Sequence, residues 1–104
     1  MNENFNVVLS RMAQEDLVNG ILWYENRRSG LGLEFEQELN QKLLEIGENP
    51  FIRQKVFKEA RTAYLRRFPY SIQYIVDQSA TRVYVFRIVP QAFDPQNWQD
   101  SYPE

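Results

Sequence analysis

The chain has 104 residues, 43% hydrophobic and 14% aromatic, enough for one domain with an apolar core and little room for a second. The absence of cysteine and histidine excludes disulfides, thiolate or imidazole metal sites and a histidine general base, and no apolar run is long enough to span a bilayer. The net charge of −2 is unevenly spread: acids outnumber Arg11, Arg27, Arg28 and Lys42 in residues 1–50, whereas eight of the 12 basic residues follow, seven of them between Arg53 and Arg82.

The first residues have neither the basic start nor the apolar stretch of an export signal, so a cytoplasmic domain is expected. Residues 5–9 read as a short strand, and Ser10 is placed to cap a helix by accepting from an otherwise orphaned backbone amide. Ala13, Leu17, Ile21 and Tyr24 recur at steps of four and three and predict a helix over about 11–25. Residues 26–32, with two glycines and two arginines, break the pattern. Phe35, Leu39, Leu43 and Ile46 form the apolar face of a second helix over about 33–46, with Gly47 as its expected stop. Glu36, Glu38 and Glu45 read as its solvated face. The short loop between the helices predicts an antiparallel hairpin.

Beyond Pro50 the period changes to two and predicts strands over about 61–67, 70–76 and 82–89. Phe68-Pro69-Tyr70 makes a corner, because proline cannot donate to a ladder. Residues 77–81 form a short polar hairpin connection. Asp94-Pro95 supplies a cap and a first helical residue for a turn over 95–98. The order β-α-α-β-β-β predicts a single α+β domain over 1–104, with a helical hairpin on one face of a small, mostly antiparallel four-stranded sheet and the other face open. Strict alternation groups Thr62, Tyr64 and Arg66 against Ala63, Leu65 and Arg67. In the last strand it groups Arg82, Tyr84, Phe86 and Ile88 against Val83, Val85, Arg87 and Val89.

Several stretches carry a resemblance in their order and spacing. They are Val8-Leu9-Ser10 with Ala13 and Asp16-Leu17, the run Phe35-x-x-x-Leu39, the hairpin entry Phe68-Pro69-Tyr70-Ser71-Ile72-Gln73-Tyr74, and the closing Asp94-Pro95-x-x-Trp98. Together, over about 5–98, they resemble the RelE/ParE superfamily of bacterial type II toxin–antitoxin toxins, which includes plasmid stabilisation proteins. The resemblance implies a growth-inhibiting toxin neutralised by a cognate antitoxin whose tail wraps over it, as a heterotetramer or with a toxin homodimer. It also implies that the complex represses its own operon through the antitoxin's DNA contacts. RelE-like members cut mRNA on the ribosome, and ParE-like members block DNA gyrase; the long helical hairpin and the Phe-Pro-Tyr entry are similar to the ParE branch. Pro90, Ala92 and Phe93 stand where relatives often carry a histidine and arginines.

Cleavage at a 2′-hydroxyl needs a proton acceptor, positive charge on the phosphate and a proton donor. Arg61, Arg66, Arg82 and Arg87 are the candidates for charge, and Tyr64, Tyr84 and Tyr102 for proton work. Arginine stays protonated and is a poor base, so a carboxylate, Lys55 or Lys58 would have to serve. The candidate catalytic set is Arg61, Tyr64, Arg82 and Arg87, with Arg61 near the position of a functional strand arginine in relatives. The alternative for these arginines is edge charge that discourages strand addition. Arg61, Arg66, Arg67, Trp23 and Trp98 are candidate partner contacts, with Arg61 the best single candidate on an arginine-rich open sheet face that would dock an acidic partner or a phosphate. No cofactor, metal or membrane is expected. Binding of a protein target is favoured over endoribonuclease activity, and a degenerate relative that keeps only antitoxin binding is the remaining option.

Overall fold

The computed structural model describes residues 4–103. Strand β1 (Asn6–Leu9) passes through Ser10 into helix α1 (Arg11–Arg27). The Ser10 hydroxyl accepts from the Ala13 amide at 3.0 Å and donates to the Phe86 carbonyl at 3.1 Å, so one cap also ties the helix to the sheet. Helix α2 (Leu31–Glu48) starts after Gly30, which has φ 89° and no side chain to act as a cap. The Glu25 carboxylate reaches across from α1 instead, accepting from the Gly30 and Gly32 amides at 3.0 and 3.1 Å. A Cβ at Gly32 would stand 2.6 Å from the Ile21 carbonyl, so this glycine sets how closely the hairpin helices approach.

Gly47 does not end α2. It lies buried inside the helix, its carbonyl accepts from the Phe5 amide at 2.8 Å, and a Cβ there would come within 3.1 Å of Phe5 and Val7. Its small size lets β1 pack against the helix, and the helix stops at Asn49, ahead of Pro50, whose ring disfavours helical geometry in the preceding residue.

Four more strands follow: β2 (Lys55–Phe57), β3 (Ala60–Tyr64), β4 (Tyr70–Asp77) and β5 (Arg82–Pro90), then the short helix α3 (Pro95–Gln99). The sheet therefore has five strands rather than four, in the order β1-β5-β4-β3-β2, with β1 parallel to β5 and the other pairs antiparallel. The added strand, β2, has three residues and pairs irregularly with β3, too little for alternation to register. Strand β3 ends at Tyr64, not at residue 67: the Leu65 amide still bonds to the Tyr70 carbonyl at 3.0 Å, but the next two amides turn toward α2, where the Glu38 carboxylate accepts from Arg66 at 2.6 Å and from Arg67 at 3.2 Å. Glu38 is therefore a structural anchor and not part of a solvated face. At the other hairpin, Asp77 accepts from the Ser79 hydroxyl at 2.7 Å and the Ala80 amide at 3.2 Å.

Strict alternation fails in β5. Tyr74 pairs with Val85 and Gln73 with Arg87, which leaves Phe86 as an extra residue in a bulge. The bulge changes the parity, so Val83, Val85 and Ile88 all enter the core under the helices while Phe86 and Val89 are buried on the opposite side.

On the helix side, Phe35, Leu39, Ile46, Ile72 and Tyr74 are fully buried. Tyr24, Phe35, Phe68 and Tyr70 form a ring cluster with centroids 4.7–5.9 Å apart. The opposite face is not wholly open: the C-terminal segment lies over part of it, with Trp98 and Tyr102 packing edge-on against Phe57 at 5.9 and 5.6 Å.

Burial raises the pKa of Tyr24, Tyr70 and Tyr74 above the ordinary 10.0; the Asp16 and Tyr24 charges push Tyr70 the same way, and Arg53 and Arg61 partly offset the rise at Tyr74. The unfolded chain thus loses these phenolic protons first. The stability they confer is intact below pH 10.0 and lost as pH climbs through the folded values. The urea midpoint should be level between about pH 7 and 9 and fall progressively above about 10; a midpoint that stayed level to pH 11 would contradict this.

Candidate functional site

The uncovered part of the outer sheet face is a concavity of about 240 Å³ between β3, β4, the end of β5 and α3. Its floor is a chain of buried polar side chains. The Thr62 hydroxyl donates to Gln73 Oε1 at 2.5 Å, Gln73 Nε2 to Ser71 Oγ at 2.7 Å, and the Ser71 hydroxyl to the Val89 carbonyl at 3.4 Å. Tyr64, Pro90, Phe93 and Trp98 form the walls, and no residue lining the concavity is charged. Tyr64 is 58% and Phe93 46% exposed, so both rings stand at the mouth.

The arginines do not converge there. Arg61 faces the helix side, opposite Tyr74, not the open face. Its guanidinium donates to the Arg53 carbonyl and lies 5.3 Å from the Phe51 ring, while the Tyr74 hydroxyl donates to the Pro50 carbonyl at 2.8 Å. Arg61 and Tyr74 together tether the 50–53 loop. Arg66 and Arg67 sit in the β3–β4 turn. The Arg67 guanidinium donates to Glu34 at 2.8 Å and that of Arg28 to the same carboxylate at 3.2 Å; these bonds, Arg67's first, hold the Glu34 pKa low. Arg82 is exposed at the end of β5 remote from Pro90.

Arg87 is committed elsewhere. It donates to both Asp16 carboxylate oxygens at 2.7 and 3.2 Å, and to the Asn97 carbonyl and the Ser101 hydroxyl at 3.2 Å. Asp16 also accepts from the Ile88 amide at 2.9 Å, continuing the edge hydrogen bonding where β1 has ended.

Of the candidate catalytic set, the concavity takes only Tyr64. Tyr84 packs against the second core, and the Tyr102 hydroxyl accepts from the Glu59 amide at 3.2 Å. Lys55 pairs with Glu59 at 2.9 Å, and Lys58 lies 5.3 and 5.1 Å from the Phe57 and Tyr102 rings. Among the partner candidates, Trp98 is 8% exposed and works as core, whereas Trp23 is exposed with the Arg27 guanidinium stacked 4.0 Å over it. The floor residues Thr62, Ser71 and Gln73 escaped the sequence reading, although polar residues alternating with Ile72 and Tyr74 were a visible signal. Among the described residues, no group of three or more carboxylates is placed to hold a metal ion.

A second surface lies at the sheet edge. A groove of about 620 Å³ runs between β1 and α2, lined by Phe5, Val7, Leu9, Leu43 and Leu44 with Asn40 and Gln41 beside them. The amides of Asn6 and Ser10 bond to carbonyls of Thr81 and Val85, so the intervening Val7 backbone turns toward the free edge.

No protein-family model matches the sequence, and no curated protein matches it. Solved structures do. A chain of the chromosomal ParDE toxin–antitoxin system from P. aeruginosa superposes with a TM-score of 0.73 at 19% identity, over 83% of this chain and 95% of that one. The fold is that of the RelE/ParE toxins. A chain of the intact E. coli RelBE toxin–antitoxin complex matches with a TM-score of 0.64 at 19% identity, over 83% and 95% of the two chains. The isolated E. coli RelE toxin matches with a TM-score of 0.65 at 17% identity, over 92% and 94%. This RelE/ParE fold thus combines a charge-free concave face with an apolar groove along the β1 edge. No helix among the described residues is long and apolar enough to cross a membrane.

Proposed function

We propose that this chain is the toxin of a type II toxin–antitoxin pair of the RelE/ParE superfamily, nearer the ParE branch, and that it acts by binding a protein target such as DNA gyrase. The observation that carries binding over RNA cleavage is the concavity without a cation. In-line attack on a phosphodiester develops negative charge that must meet prearranged positive groups. Here Arg87 is held by Asp16, Arg61 by the 50–53 loop, and Arg67 by Glu34. The partner proposed for the β1–α2 groove is the cognate antitoxin: a free strand edge beside the exposed Leu44 and the half-buried Leu9 and Leu43 suits an added strand with apolar side chains at alternate positions. Pro90 and Phe93 in the concavity lining also favour a second reading, a non-toxic relative that keeps only this antitoxin surface.

The test is induced expression of the wild type and of Tyr64→Ala in a bacterial host lacking the neighbouring small genes. The expected result is growth arrest in the wild type, with DNA synthesis stopping before protein synthesis. Arrest with continuing DNA synthesis and freshly cut mRNA would overturn this in favour of an endoribonuclease, and loss of the cutting in Tyr64→Ala would then place the chemistry in the concavity. Unimpaired growth at high soluble expression would leave the antitoxin-binding relative. Arg61→Ala is a poor probe of activity, because it unties a loop on the other side of the sheet.

A further inference from the structure

The charge-free concavity has the features of a receptor for one side chain. Its volume of about 240 Å³ lies below the roughly 300–1,000 Å³ of pockets that hold whole small ligands. Its walls are rings of Tyr64, Phe93 and Trp98 together with Pro90, surfaces on which another ring packs well. Its floor is polar and still has capacity. Gln73 is 1% exposed and uses one amide hydrogen toward Ser71 and its oxygen toward Thr62, which leaves a second amide hydrogen and a second lone pair.

From this we infer that the concavity binds an uncharged, hydroxyl-tipped aromatic side chain, a tyrosine on an extended segment of a partner protein. The ring would lie among Tyr64, Phe93 and Trp98, and the phenol would meet the Gln73 amide. Charge decides against a nucleic acid as the occupant. Nucleic-acid binding depends on neutralising phosphates with Lys or Arg, yet no cation lines the site and the chain carries a net −2. A phosphorylated tyrosine is excluded on the same ground. The inference holds whether or not the chain is toxic.

The probe is N-acetyl-tyrosinamide, titrated into the full-length protein and followed by 1H–15N correlation spectra. The Trp98 indole and the Gln73 side-chain amide should both shift. O-phospho-N-acetyl-tyrosinamide, inorganic phosphate and uridine monophosphate should leave them in place. Tyr64→Ala, at an exposed position, should weaken binding of the probe about three- to tenfold while preserving the spectrum elsewhere, the range for losing one ring–ring contact. Tighter binding by uridine or its monophosphate would overturn the assignment in favour of RNA. Equal binding by the phosphorylated probe would refute the exclusion of charge. The absence of any shift at these two side chains up to the solubility limit of the probe would remove the site altogether.

Discussion

Phe35→Ala should destabilise the fold by about 3–5 kcal/mol, the range for deleting a large ring from a filled core. Phe35 is fully buried, with ring centroids of Tyr70, Tyr24 and Phe68 at 4.9, 5.1 and 5.4 Å. On its remaining side it presses against Gly20, where an added Cβ would come within 2.8 Å of the ring. The cavity would be walled by α1, α2 and the β4 corner, which are held to one another elsewhere, so collapse would fill little of it. A domain of this size has about 5–15 kcal/mol of stability in all, and each kcal/mol is worth roughly 4–8 °C in Tm. The variant should therefore melt more than about ten degrees lower and be partly unfolded if the starting stability is at the low end. Urea denaturation of wild type, Phe35→Leu and Phe35→Ala would check this. Leucine should cost much less, and a loss below about 1.5 kcal/mol for alanine would mean that the ring cluster is not the centre of the core.

Asp16→Ala should cost about 2–4 kcal/mol, rather less than the 3–5 for a fully buried pair. Asp16 and Arg87 side chains are only 14% and 12% exposed, so losing the carboxylate strands a guanidinium out of water and orphans the Ile88 amide. The informative comparison is the double variant Asp16→Ala/Arg87→Met, which removes the stranded charge and should be more stable than Asp16→Ala alone. Equal or additive losses in equilibrium unfolding would show that the two side chains act independently and that the pair does not join α1 to the bulge.

Much of this architecture was legible because it rests on periodicity. The stripe through Ala13, Leu17, Ile21 and Tyr24, and that through Phe35, Leu39, Leu43 and Ile46, can be buried only as helices, and Tyr70, Ile72, Tyr74 and Val76 only as one face of a strand. What stayed hidden depends on partners distant in sequence. Gly47 could be a helix stop or a point of close approach, and the choice was made by Phe5 and Val7, forty residues upstream. The turn amides of Arg66 and Arg67 left the strand because Glu38 claims them. The bulge at Phe86 carries no glycine or proline to mark it, and it alone overturns the grouping of residues in β5. The site suffered from the same limits. Alternation correctly separated Thr62 and Tyr64 from Ala63 and Leu65, but nothing local says which side the helices cover. Arg61 was therefore placed on the open face, although it points the other way.

The parallel pairing of β1 with β5 also governs when the molecule can form. Residues 6–9 are made well before their ladder partners, residues 82–85. The α1–α2 hairpin has its contacts nearby in sequence and can assemble early, whereas the sheet edge that borders the groove is closed only by a contact spanning most of the chain. Until then only β3 and β4 can cover the apolar face of the hairpin, so the nascent chain passes through a stage in which it is prone to association. A partner that recognises the β1 edge must meet a chain that already contains β5, because that edge does not exist before residues 82–85 have been made.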